Sequence, residues 1–244
     1  MLPNWQLQNE IQAIAFDCDG TLSSIEGIDE LAKESGHGNE VAALTAEAMG
    51  KSGLNPHLYE TRLKLVKPQK ENVMKLAKVY YQHRTPNIVE IISIFKRLKK
   101  SVYIISAGLL PSLIAFGDML HVPQENIFAV DIQFDDSGNY ISFDQTSPLI
   151  RASGKREIVT QLKKIHPKLI YVGDGLNDYE THDLVTRFIG YGGVFYRQNI
   201  ANLCQYYIRS LSLAPLLPLS LTANEYEMLT SAEQLLYQEG LKLL

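Results

Sequence analysis

The apolar run at residues 12–16 ends directly on Asp17-Cys18-Asp19-Gly20-Thr21, and no other junction constrains the chain as tightly. The run predicts a buried strand. Strand side chains alternate, so Asp17 and Asp19 share one side and Cys18 faces the other. A lone Asp-x-Asp turn is most simply read as backbone capping. Here the pattern recurs: a second apolar run, 169–172, ends on Gly173-Asp174-Gly175-Leu176-Asn177-Asp178, with glycines flanking its first acid. Ligands of open α/β sheets sit outside the carboxyl ends of the strands, so both acidic turns are expected to face one crevice.

Between these turns the chain alternates. Apolar positions Ile88, Ile91, Ile92, Phe95 and Leu98 predict a helix opened by Pro86, with Lys96, Arg97, Lys99 and Lys100 outward. Strands are expected at 102–105 and 127–130, helices at 111–120 and 155–165, and a hairpin across 136–139. Such alternation implies right-handed βαβ units, hence an α/β fold: a Rossmann-like parallel sheet with helices on both faces. Residues 27–84 break the alternation with four polar-faced helical segments, 27–34, 40–49, 56–66 and 71–81. They read as a small inserted α-helical cap domain, 24–83, in a core formed by 1–23 and 84–212. A C-terminal extension, 213–244, opens on a Leu/Pro-rich stretch and ends in a helix capped by Thr230 and Glu233. Its leucines pack on the sheet or against a second copy of the chain, so a homodimer is one expectation.

Composition removes several classes of function. With 23 Lys+Arg against 27 Asp+Glu the net charge is −4, and the basic residues fall in short scattered runs, which argues against nucleic acid as a partner. No apolar run reaches membrane-spanning length and the N-terminal residues are polar, so no membrane partner is expected and the cytoplasm is the default location. Cys18 and Cys204 lack the CxxC spacing of a zinc or redox site and fit a reducing compartment, although one bridge between them is formally open.

Two further features belong to the same sheet edge. Ser106-Ala107-Gly108 follows the strand at 102–105, offering a hydroxyl and free amides. Lys155 stands at a helix start, where the dipole disfavours a cation. Taken singly they read as a helix cap and a solvated lysine; beside two acidic turns they make a set. Crowded carboxylates repel by as much as about 4 kcal/mol per pair at about 4 Å and an effective dielectric near 20, so they need a cation. All-oxygen ligation without a nearby histidine favours Mg²⁺. A cation and Lys155 would admit a phosphate dianion, which a carboxylate can attack to give an aspartyl-phosphate.

Asp17-Cys18-Asp19-Gly20-Thr21, Ser106, Lys155 and Gly173-Asp174-Gly175-Leu176-Asn177-Asp178, in this order, resemble the four motifs of the haloacid dehalogenase superfamily of phosphohydrolases. The chain most resembles the phosphoserine phosphatases, over most of residues 10–210. Glu26-Gly27-Ile28-Asp29-Glu30-Leu31-Ala32, Ala48-Met49-Gly50, Arg62 and Gly190-Tyr191-Gly192-Gly193 through Arg197 stand where that family has its signatures. The resemblance implies that Asp17 is the nucleophile and Asp19 the general acid and base. It implies a metal at Asp17, Asp174 and the Asp19 carbonyl, with Asp178 in support. Phosphate would be held by Ser106, Ala107, Gly108, Lys155 and Asn177, and substrate also by Met49, Gly50 and Arg197. Glu26 would meet the substrate ammonium and Arg62 its carboxylate; a fork-shaped guanidinium suits a carboxylate and an acid suits an ammonium.

The implied activity is Mg²⁺-dependent hydrolysis of O-phospho-L-serine, a small-molecule phosphate ester. Two departures keep another phosphorylated amino acid or a sugar phosphate as the alternative. Asn55 stands where the family has a phenylalanine, predicting a less apolar wall, and Leu110 where it has a basic residue. A protein that binds phosphate esters without turnover is the third reading, although every acid required for both half-reactions is present.

Overall fold

The computed structural model describes residues 5–50 and 54–244, apart from the side chains of residues 48–50. Six strands form one parallel sheet in the order β3-β2-β1-β6-β7-β8: β1 Ala13–Phe16, β2 Ser101–Leu109, β3 Ile127–Val130, β6 Leu169–Gly173, β7 Arg187–Tyr191 and β8 Tyr206–Ile208. A separate antiparallel hairpin pairs β4 Ile132–Phe134 with β5 Tyr140–Phe143 around the expected turn. β1 is buried at every position, as a strand covered on both faces must be. The sheet is flanked by helices, among them α5 Ile88–Arg97, α6 Leu110–Met119 and α7 Gly154–Ile165.

Register sets up the crevice. β1 lies between β2 and β6, with Phe16 opposite both Ile104 and Val172. Residues one to three beyond those partners therefore gather at one edge: Asp17 and Asp19 from β1, Ser106 from β2, Asp174 from β6. The chain reverses its direction of winding at β1, which is where a doubly wound sheet opens a crevice.

Four helices lie between β1 and β2: α1 Gly27–Ser35, α2 Gly38–Gly50, α3 Pro56–Val66 and α4 Lys70–Gln82. The chain leaves and re-enters the sheet through two strand-like segments bridged at Ser23 and Arg84. Thr85 N–H donates to the Leu22 carbonyl and Ser24 N–H to that of His83, both at 2.9 Å. The Ser23 hydroxyl donates to the carbonyls of Tyr80 (3.0 Å) and His83 (3.1 Å). The β4–β5 hairpin braces the helices from the far side, where Tyr59 and Phe143 pack at 5.1 Å and Lys70 N–H reaches the Gly138 carbonyl at 2.9 Å.

Strands β7 and β8 extend the sheet beyond what the sequence led us to expect. The C-terminal leucines Leu213, Leu216, Leu217, Leu219 and Leu221 are buried against the chain itself. Residues 216–220 form a short helix packed on the terminal helix, Ser231–Lys242, whose Thr230/Glu233 capping box is present. Among the described residues, no helix is long and apolar enough to cross a membrane. Both cysteines are free.

Candidate active site

Asp17 leaves β1 into a turn made possible by Gly20, whose φ of +70° is a left-handed conformation that side chains disfavour. A Cβ there would also press on the Asp174 carboxylate, at 2.8 Å. The Asp17 Oδ1 accepts the Lys155 ammonium and the Cys18 N–H, each at 2.7 Å. Lys155 bridges onward to Asp178 Oδ1, again at 2.7 Å. This explains a cation at the start of α7: two carboxylates hold it against the dipole. Both Asp178 oxygens are engaged, since Tyr171 O–H donates to Oδ1 and Gly175 N–H to Oδ2, both at 2.9 Å. Asp174 is fully buried, ion-paired through Oδ2 with Arg197, and its Oδ1 has no partner.

Asp17, Asp174 and Asp178 can each offer an oxygen such that all three lie within 4.8 Å of one another. An orphaned buried oxygen, an all-oxygen donor set and uncompensated charge fit a hard divalent cation. The Asp19 side chain is not part of this cluster. It turns toward the inserted helices, with Oδ1 accepting from Gly27 N–H (2.6 Å) and Tyr80 O–H (2.8 Å) and Oδ2 from the Ser106 hydroxyl (3.3 Å). Its carboxylate is therefore held by hydrogen bonds from the insert and from β2.

The electrostatics follow from burial. Burial raises the pKa of Asp17 well above the usual carboxylate range, Asp178 adds to the rise and Lys155 partly opposes it. Burial likewise lifts Asp174 to about 6, although Arg197 pulls it back. Asp19 is raised by burial and partly relieved by the Gly27 amide and the Tyr80 hydroxyl. Glu26 is raised by burial and then by Asp19. Burial pulls Lys155 down, but the charges of Asp17 and Asp178 outweigh it and its pKa ends above the normal lysine range. Burial pushes the Cys18 thiol well up, so it is no thiolate nucleophile.

One cavity joins these groups to the inserted helices. Asp17, Asp19, Ser106, Ala107, Gly108, Lys155, Asn177 and Asp178 line it together with Glu26 and Arg62. Arg62 is buried on α3; its Nη1 donates to the Thr45 hydroxyl (3.4 Å), which donates to Asp29 (2.7 Å), and its Nε has no partner. Ser106 lies inside β2, and its Oγ accepts from Gly108 N–H at 3.0 Å.

Two expectations change. Arg197 does not line the cavity; it neutralises Asp174 from the side. Asn55 is exposed and caps α3, accepting from Leu58 N–H at 3.0 Å, so the wall at this point is Leu54 and is apolar. Met49 and Gly50 lie outside the residues whose side chains are described. The sequence reading missed Tyr59, Leu54 and Tyr80. Tyr59 stands three residues before Arg62 on the same helical face, and its hydroxyl donates to the Ala107 carbonyl at 3.0 Å, a spacing that would have flagged it.

Fold and site together define a parallel α/β protein with buried carboxylates at a sheet edge beneath a helical insert. The family model of haloacid dehalogenase-like hydrolases matches residues 11–181. The phosphoserine phosphatase of Bos taurus is 34% identical over 213 residues, spanning 85% of this chain and 95% of that protein. Among solved structures, a phosphoserine phosphohydrolase-like protein from Francisella tularensis superposes with a TM-score of 0.74 at 26% identity, covering 82% of this chain and 96% of that one. A phospho-aspartyl intermediate analogue of phosphoserine phosphatase gives 0.72 at 25% identity, with 84% and 96% covered. The chain belongs to the phosphoserine phosphatase family of the haloacid dehalogenase-like hydrolases.

Proposed function

We propose that this protein hydrolyses O-phospho-L-serine to L-serine and phosphate through an aspartyl-phosphate on Asp17, with Mg²⁺ as its metal. The observation that carries the reading is that Asp17 and Lys155 line one cavity together with Glu26 and Arg62. A phosphate dianion suits the first pair, and the ammonium and carboxylate of an amino acid suit the second. In this reading residues 24–83 form the cap, residues 1–23 and 84–212 the core, and 213–244 an extension that completes the core.

Asp17 and Asp174 would hold the metal with the Asp19 carbonyl, Asp178 orienting Lys155 beside them; when bound, Mg²⁺ offsets charge on the phosphate and the carboxylates. Asp17 attacks phosphorus while Asp19 gives a proton to the serine oxygen. Asp19 then takes a proton from the water that cleaves the aspartyl-phosphate. Ser106, Lys155, the amides of Ala107 and Gly108, and Asn177 hold the phosphate oxygens. Arg62, kept in place by Thr45 and Asp29, orients the substrate, and the apolar wall of Leu54 and Leu63 excludes water.

Phosphate release from a panel of esters, with Mg²⁺ and with chelator, tests the proposal. Preferred, Mg²⁺-dependent hydrolysis of phosphoserine that Asp17→Asn abolishes is expected. Turnover of other esters with phosphoserine left intact would overturn the substrate assignment.

A further inference from the structure

Asp19 is held from the inserted helices. Its Oδ1 accepts from the N–H of Gly27, the first residue of α1 (2.6 Å), and from the O–H of Tyr80, near the end of α4 (2.8 Å). Tyr80 is fully buried, its ring stacked on Phe116 of α6 at 5.4 Å. A phenylalanine would pack equally well in that stack; the hydroxyl is the added feature, and a buried hydroxyl needs a partner. The opposing residue is shaped around it, since a Cβ at Gly27 would collide with the Tyr80 oxygen.

We infer that Tyr80 is a positioning residue for the Asp19 carboxyl group, making the seating of the helical insert and the alignment of the proton-transfer group one event. The inference rests on Asp19 being the general acid and base. Two donors on Oδ1 fix the carboxyl plane and leave Oδ2, the oxygen beside Ser106 and Gly108, to carry the proton. In the first half-reaction the Asp17–phosphorus bond forms, the phosphorus–serine oxygen bond breaks, and the proton on Oδ2 passes to that oxygen. In the second, water oxygen bonds to phosphorus, the Asp17–phosphorus bond breaks, and a water proton returns to Oδ2. Gly27 and Tyr80 come from opposite ends of the insert, so both donors reach Asp19 only when the insert is seated.

Tyr80→Phe keeps the ring and removes the hydroxyl. Steady-state rates on O-phospho-L-serine and on p-nitrophenyl phosphate, whose phenolate departs without a proton, are compared with those of Asp19→Asn, alongside thermal melting. For Tyr80→Phe, kcat and kcat/KM on phosphoserine should fall about tenfold or more, a fraction of what general acid–base catalysis supplies. KM, the melting temperature and kcat/KM on the aryl phosphate should stay within about twofold or unshifted. Equal losses on both substrates, a change confined to KM, or wild-type rates would overturn the positioning role. If Asp19→Asn is inactive on phosphoserine and Tyr80→Phe is not impaired, only this inference falls; if Asp19→Asn retains full turnover, the acid–base reading falls first. Gly27→Ala, which displaces the hydroxyl, should reproduce the selective loss and add little to Tyr80→Phe. Additive losses would count against a shared route through Asp19.

Discussion

Lys155 and Lys100 are both buried lysines paired with acids, one at each end of the sheet. Lys100, just before β2, pairs with Glu225 and donates to the Ile11 carbonyl at 3.0 Å. The other Glu225 oxygen accepts the N–H (2.8 Å) and hydroxyl (3.0 Å) of Thr222. One positive charge meets one negative, and the acid's two oxygens are both engaged. At the opposite edge Lys155 faces Asp17 and Asp178 while Asp174 keeps an oxygen without a partner. The first arrangement is complete within the chain. The second keeps a buried carboxylate oxygen without a partner among crowded acids, which is the donor chemistry a hard cation suits.

Exchanging the two lysines' fates is the sharpest test. Lys155→Met should lower phosphatase activity about 10²–10³-fold, the cost of losing one charge-stabilising donor, with the fold retained. Lys100→Met should do the reverse: urea unfolding should show a loss of about 3–5 kcal/mol from the stranded Glu225, with kcat per folded molecule unchanged. Restoring most of that stability with Lys100→Met/Glu225→Leu would confirm that this pair is structural; loss of activity in the single variant at full stability would break the comparison.

The acids should also respond differently to pH. The pKa of Asp174 in the folded, metal-free protein, about 6, lies above its ordinary value of 3.8. Its contribution to stability is therefore full below the ordinary value and is lost as pH rises through about 6. Metal-free melting temperatures should fall across that window, Asp174→Asn should flatten the fall, and added Mg²⁺ should reverse it above pH 6. A wild-type curve parallel to that of Asp174→Asn would dismiss the buried charge as its cause. The smallest effect is expected away from both lysines: Thr230→Ala removes the cap of the terminal helix and should cost about 1 kcal/mol by thermal melting, with rates unaltered.

The acidic turns, Ser106 and Lys155 were legible because each sits at the end of a strand or the start of a helix with a clear apolar pattern. Strands β7 and β8 were not, because runs of five and three residues carry too little periodicity to stand out. The Leu/Pro-rich tail gave no register for a related reason: it is buried along its whole length, so no polar face marks a period. Asn55 misled because alignment by position assigns it to a wall, whereas its short side chain, followed by Pro56 at the first helical position, made it a cap.

The sequence by itself determined the α/β class, the helical insert and the identities of the acids, because local periodicity and turn chemistry act over a few residues. Only the tertiary structure decided which carboxylates cluster within reach of one cation and which accept from a hydroxyl. That choice depends on register between β1, β2 and β6 and on how an insert some sixty residues away in the chain from its anchor returns Tyr80 to Asp19. Charges and hydrogen bonds act through space, and their partners here are separated by 61 residues for Tyr80 and Asp19 and 125 for Lys100 and Glu225.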